Sequence, residues 1–161
     1  MINVLQAASY IFHRYKKEFN SNIDEMKLHK LLYFAQRESL ILLREPMFYE
    51  NFEAWKYGPV LVEIRDTYKK KFFSQSLNEQ ELEKFEPVFD AVFKRYASRS
   101  SWSLSNLSHN ETSWRRARRG LNDYDKGSTV IPLEHIKEDA ERMRLSRFLY
   151  EQVKPEVSRE N

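Results

Sequence analysis

Met26–Pro59, MKLHKLLYFAQRESLILLREPMFYENFEAWKYGP, is the stretch whose reading decides the fold. Leu28, Leu31, Leu32, Ala35, Leu42 and Leu43 recur at the helical period and line one apolar face of a long helix. Asn22, followed by Glu25, supplies a cap with a reciprocal acceptor at its start. Pro46 ends it, because the residue before a proline is pushed toward extended geometry. Phe48, Phe52, Ala54 and Trp55 then form an apolar cluster around Glu50-Asn51, a pair suited to a turn. Gly58 is free to adopt any backbone angle, and Pro59 is preset for the first turn of another helix. The stretch therefore predicts a helix, a short hairpin and a second helix.

Upstream, Val4, Ala7, Ala8, Ile11, Tyr15 and Phe19 hold helical spacing, which predicts a first helix over Asn3–Phe19. Downstream, Val60, Leu61, Ile64 and Tyr68 predict a third helix, ending at Lys69-Lys70-Lys71 where cations suit the negative end of the dipole. Phe72-Phe73 either folds back on the core or, exposed, forms an unusual apolar spot. Asn78 with Glu81 repeats the cap-plus-acid pattern, and Leu82, Phe85, Phe89, Val92, Phe93 and Tyr96 follow at helical spacing. Pro87 interrupts that run, so a short helix and a longer one from Pro87 to Ser98 are expected. Two short helices follow, one around Trp102–Leu107 and one over Glu111–Arg119 closed by Gly120. Thr129–Ile131 reads as extended. A final helix from Pro132 should bury Leu133, Ile136, Ala140, Met143 and Phe148. The expected organisation is one domain over residues 1–150 and a polar tail over 151–161. Its class is mainly α: a compact helical domain with a minor short β-hairpin inserted between the second and third helices.

Composition sets the outer bounds. The chain has 161 residues, of which 41% are hydrophobic and 32% charged, a balance that suits a packed domain. The net charge of +3 is too mild to argue for nucleic acid by itself. With no cysteine there is no disulfide, thiolate nucleophile or Cys-ligated metal. Met1–Val4 shows no basic segment followed by an apolar run, and no apolar segment approaches the ~20 residues that span a bilayer. The expected location is the cytoplasm.

Few residues offer catalytic chemistry. His109, near Glu111, has the type for a general acid or base, but no second polar cluster accompanies it, and capping a helix end is the favoured reading. His13, His29, His109 and His135 lie in separate segments, none paired at metal-ligand spacing. Glycines only at 58, 120 and 127 leave no phosphate-cradling loop. No catalytic residue, metal ligand or cofactor is therefore assigned, and no enzyme activity is expected. The run Arg115-Arg116-Ala117-Arg118-Arg119, with Trp114 and Tyr124 nearby, suits a nucleic-acid patch. The favoured reading is a solvated helix face neutralised by Glu111, Asp123 and Asp125, and a third is docking to an acidic partner surface. Trp55, Tyr57, Gly58 and Pro59 divide in the same way. They either fill and set the hairpin–helix junction or offer an aromatic edge to another chain.

Three blocks carry a resemblance. Met26–Gln36 (MKLHKLLYFAQ), Glu53–Val60 (EAWKYGPV) and Leu104–Trp114 (LSNLSHNETSW) resemble the SocA-like antitoxin family, whose domain is also called Panacea and whose members were formerly labelled phage-associated proteins. The similarity runs roughly from Val4 to Ile136, and Ser113 stands where the family often has proline. The resemblance implies an antitoxin that binds and neutralises a co-encoded toxin by covering its active site, by chaperoning it, or by presenting it to a protease. It marks Lys27, Trp55, Tyr57, Gly58, Pro59, His109 and Trp114 as signature positions and candidate partner-binding residues. The alternative is a small nucleic-acid-binding regulator that uses Arg115, Arg116, Arg118 and Arg119.

Overall fold

A computed structural model describes residues 1–154 of the chain. Among these, seven α-helices surround a small three-stranded sheet. In chain order they are α1 (Val4–Phe19), α2 (Glu25–Leu42), β1 (Phe52–Trp55), β2 (Gly58–Val60), α3 (Val62–Lys70), α4 (Glu79–Val92), α5 (Ser101–His109), α6 (Thr112–Ala117), β3 (Val130–Ile131) and α7 (Leu133–Val153). A π-helical turn over Phe93–Ala97 extends α4. The class is mainly α, with the β1–β2 hairpin inserted between the second and third helices as the sequence predicts.

Helix α2 is the hub. Every residue from Lys27 to Ile41 is buried, not only the apolar stripe. Helices α1, α3, α4, α5 and α7 and strand β2 all pack on it. Its start differs from the sequence expectation: Asp24, not Asn22, is the cap, accepting the Lys27 N–H at 2.8 Å. At its far end Leu42 lies outside the core, 48% exposed. The carboxamide of Gln36 clamps the following segment, donating to the Phe48 carbonyl at 2.7 Å and accepting the Met47 N–H at 2.8 Å. The hairpin then turns at Lys56-Tyr57 rather than at Glu50-Asn51. Gly58 at φ +113° is what permits that turn. Pro59 starts no helix. It pairs with Ala54 on edge strand β2, where its missing N–H costs no ladder bond. The sheet order is β2–β1–β3, both pairs antiparallel, with Phe52 opposite Ile131.

Further expectations meet the structure along the rest of the chain. Helix α4 runs unbroken through Pro87, because Phe85, Val88, Phe89 and Val92 bury one continuous face across it and Pro87 itself points to solvent. Its Asn78–Glu81 capping box forms as predicted. Only Phe73 of the Phe72-Phe73 pair folds back, while Phe72 stays 70% exposed. Helix α7 buries Ile136 and Ala140, with Leu133 and Met143 partly covered, but Phe148 is exposed because α7 runs out beyond the core. Helix α7 continues to Val153, into the expected polar tail, and 155–161 of that tail lie outside the described residues.

Burying α2 all round forces its charges to find partners. Arg37 reaches the Tyr96 hydroxyl at 2.6 Å and pairs with the Glu111 carboxylate. Glu38, fully buried, receives both guanidinium nitrogens of Arg147 from α7 at 2.5 and 2.9 Å. Tyr33 bonds the Ser113 hydroxyl at 2.6 Å, and Asp139 accepts the Ser113 N–H at 2.9 Å. A proline at position 113 has no N–H to give Asp139, so the serine there ties α6 to α7. Burial raises the Glu111 carboxyl pKa above the usual range; neighbouring Asp139 adds to this and Arg37 opposes it.

Removing one partner of such a buried pair leaves an uncompensated charge, at a cost of ~3–5 kcal/mol. Glu38→Gln should therefore lower the free energy of unfolding in urea by about 3 kcal/mol. Combining it with Arg147→Met should cost less than the sum of the two single changes, because the pair is lost only once. Additive effects would show that Glu38 and Arg147 do not act as a pair.

Candidate functional site

The hairpin turn Lys56-Tyr57 stands between two clefts and lines both. The larger, about 750 Å³, opens between the start of α2, the turn, α3 and the loop carrying Tyr124 and Lys126. The smaller, about 540 Å³, lies between the turn, the end of α5 and helix α6.

Cations and aromatic rings line the larger cleft in pairs. The Lys126 ammonium sits 4.2 Å from the centroid of the Trp55 indole, and the Arg65 guanidinium 4.8 Å from it. The Lys56 ammonium lies 5.0 Å from the Tyr57 ring and 5.7 Å from the Tyr124 ring. Such contacts are worth ~0.5–1 kcal/mol each at exposed sites, enough to bias where a flexible side chain rests. Trp55 is half-buried, and its indole N–H donates to Glu53 at 2.6 Å. It therefore walls the cleft, while the junction core is filled by Phe48, Phe52 and Ala54. Tyr57, 44% exposed, meets Trp102 edge-on at 5.4 Å.

At the cleft floor lies Lys30, 1% exposed. Its ammonium donates to the Pro59 carbonyl at 3.2 Å. Burial pushes its pKa down to about 7, with Asp24 and Glu25 partly opposing the shift. Lys30 also explains why position 58 is glycine: a Cβ there would strike Lys30 Cε at 2.5 Å and crowd the Ser108 hydroxyl. Beside it, His29 accepts the Leu61 N–H at 3.2 Å, and burial lowers its pKa against the pull of Glu25.

The signature positions separate by role. Trp55 and Tyr57 face the larger cleft, and Gly58 and Pro59 roof Lys30. Lys27 is buried elsewhere on α2, bonded to the Tyr15 hydroxyl and the Ala97 carbonyl at 3.2 Å each. His109 and Trp114 line the smaller cleft, their rings stacked 4.1 Å apart. His109 does not work with Glu111, whose carboxylate is held by Arg37. Nor does it cap a carbonyl through Nε2, which is buried without a hydrogen-bond partner. Burial and the nearby Lys30 charge lower its pKa. Trp114 donates to the Trp55 carbonyl at 2.9 Å and so fixes α6 to the hairpin.

The basic run is largely committed to the protein itself. Arg118 is buried and donates to four carbonyls, of Ala54, Asn122, Asp125 and Lys126, at 2.6–3.1 Å. Arg115 closes the end of α5 through the carbonyls of His109 and Asn110, and Arg116 pairs with Glu138 at 2.7 Å. Arg119 is exposed. Contrary to the sequence expectation, the carboxylates of Glu111, Asp123 and Asp125 pair with none of the four arginines. Backbone carbonyls and Glu138 take that role.

Sequence reasoning passed over Lys30, Lys56, Arg65 and Lys126. A signal for the first existed: Lys27, Lys30 and Arg37 fall on one helical stripe, which in isolation reads as a solvated face. The other three come together only through the hairpin, α3 and the 121–128 loop.

Fold and cleft together define a helical domain whose buried central helix carries a hairpin with a cation-rich cleft at its turn. The family model for the SocA-like antitoxin, Panacea domain, matches residues 28–115, from α2 to the first arginine of the basic run. The chain belongs to this family. No curated protein and no solved structure matches it.

Two consequences are measurable. The folded-state pKa of Lys30 lies below the ordinary 10.5, so between about 7 and 10.5 the unfolded chain binds more protons. Wild-type stability relative to Lys30→Met should therefore rise with pH across that window, by up to ~1.4 kcal/mol per unit. Urea titrations of both proteins at several pH values test this, and a flat difference would mean that Lys30 is not desolvated. Gly58→Ala should cost ~1–3 kcal/mol through its positive φ and the crowding of Lys30.

Proposed function

We propose that the protein is an antitoxin that binds a co-encoded toxin in the cytoplasm and holds it inactive by direct contact, without catalysis of its own. The observation that carries this reading is the family match over residues 28–115, which spans most of the central helix, the hairpin and part of each cleft lining. The arrangement suits binding: a rigid hub positions a turn whose exposed side chains differ in chemistry from the core beneath. Protein–protein contact surfaces favour aromatic and arginine side chains, and Tyr57, Trp102, Tyr124 and Arg65 gather around this turn. Among the described residues, no helix is long and apolar enough to cross a membrane.

The nucleic-acid alternative draws less support, because three of its four arginines are already engaged with carbonyls or Glu138.

Co-expression with the product of the adjacent reading frame tests the proposal. Growth arrest by that product should be relieved, and the two chains should purify as a stoichiometric complex. Promoter DNA should bind only weakly, with an affinity that collapses as salt rises. His109→Gln, once shown to be folded, should neutralise as well as wild type. Tight promoter binding at physiological salt without a protein partner would replace the antitoxin reading with that of a regulator.

A further inference from the structure

We infer that the larger cleft takes an acidic segment of a partner protein, one carboxylate of which reaches the Lys30 side chain at its floor. This rests on the antitoxin reading, under which the partner is the toxin.

Charge accounting is the first support. Lys30, Lys56, Arg65 and Lys126 converge on the cleft, and among the described residues no carboxylate lies within ion-pair distance of any of them. The two acids at the rim are already engaged. Asp24 caps α2 at 2.8 Å and accepts the Ser101 hydroxyl at 2.5 Å, and Glu25 faces His29 at 3.5 Å. The cleft therefore gathers four basic side chains against two rim carboxylates, neither of which pairs directly with them.

The aromatic rings hold the cations. Arg65 and Lys126 flank Trp55, and Lys56 lies by Tyr57 and Tyr124. Cations rested in this way lose less side-chain entropy when an anion binds. Such an array suits a carboxylate-bearing segment.

Depth decides between a protein and a duplex. Lys30 is 1% exposed beneath Gly58 and Pro59, and a single acceptor, the Pro59 carbonyl, engages its amine. The smooth phosphate ribbon of a duplex passes over such a floor. A single Asp or Glu side chain on an extended segment descends to it and supplies the second acceptor. Lys30 is thereby the residue that reads for a protruding carboxylate, while Lys56, Arg65 and Lys126 steer the acidic segment toward it.

The test uses two probes with the full-length protein: the purified product of the adjacent reading frame, and a ten-residue oligo-glutamate peptide. A DNA duplex serves as competitor, and calorimetry is the readout. Lys56→Glu and Lys126→Glu are exposed or half-buried changes that leave the core alone. Each should weaken binding of the neighbouring protein by about tenfold or more and abolish peptide binding. Lys30→Met should weaken both, whereas Lys17→Glu, on the far face of α1, should change neither. Unchanged partner affinity in the cleft variants would overturn the acidic-segment proposal and leave the antitoxin reading intact. Peptide capture that depends on the cleft, with no binding of the neighbouring protein, would support the cleft's specificity and overturn the antitoxin reading. Duplex DNA binding the cleft more tightly than the peptide would overturn the proposal in favour of nucleic acid.

Discussion

A helix buried on all sides with charges still on it is the constraint from which this structure follows. Helix α2 carries Lys27, Lys30, Arg37 and Glu38 into the interior, each 7% exposed or less. An isolated ion in such surroundings is prohibitively unstable, so each must meet a partner from another element. Glu38 draws in Arg147 of α7, Arg37 draws in Glu111 before α6, and Lys27 draws in the π-turn after α4. The packing of the outer helices is thus specified by polar geometry as well as by apolar area. Apolar burial supplies most of the driving force, and the buried pairs decide which helix lies where.

Lys30 is the least partnered of these charges, and it sits at the candidate site. Its amine donates to a single acceptor, the Pro59 carbonyl, where Lys27 has both a carbonyl and the Tyr15 hydroxyl, and it lies under the hairpin turn set by the positive φ of Gly58. Natural folds depart from full polar satisfaction chiefly where function needs it. The cost of holding Lys30 in this way appears as its depressed pKa. The same desolvation makes any carboxylate that reaches it a stronger partner than it would be in water.

The sequence-level picture of the basic run failed for an instructive reason. Four arginines in five residues look like a ligand-binding patch, yet Arg118 alone donates to four backbone carbonyls of the hairpin and the 121–128 loop. Guanidinium groups present five donors in a rigid fork, so they organise irregular backbone as readily as they bind anions. Here that capacity shapes the loop that carries Tyr124 and Lys126. Arg118 supports one wall of the larger cleft from behind, and with Arg115 it lines the smaller one.

What the sequence determined by itself follows from local rules. Period marked α1, α2, α4 and the short helices, and a capping box marked the start of α4, because those signals are carried by residues three and four apart. The hairpin insertion and the three family blocks were legible for the same reason, as contiguous strings. Local rules erred where long-range contact overrode them. Pro87 sits inside α4 because a continuous buried face outweighs one lost N–H bond, and Pro59 entered a strand because β1 was there to pair with it. The cleft belonged wholly to the tertiary structure. Lys30, Trp55, Arg65 and Lys126 span 97 positions from first to last, and no periodicity links them. Only the docking of hairpin, α3 and loop onto one end of α2 brings their charges to a common surface.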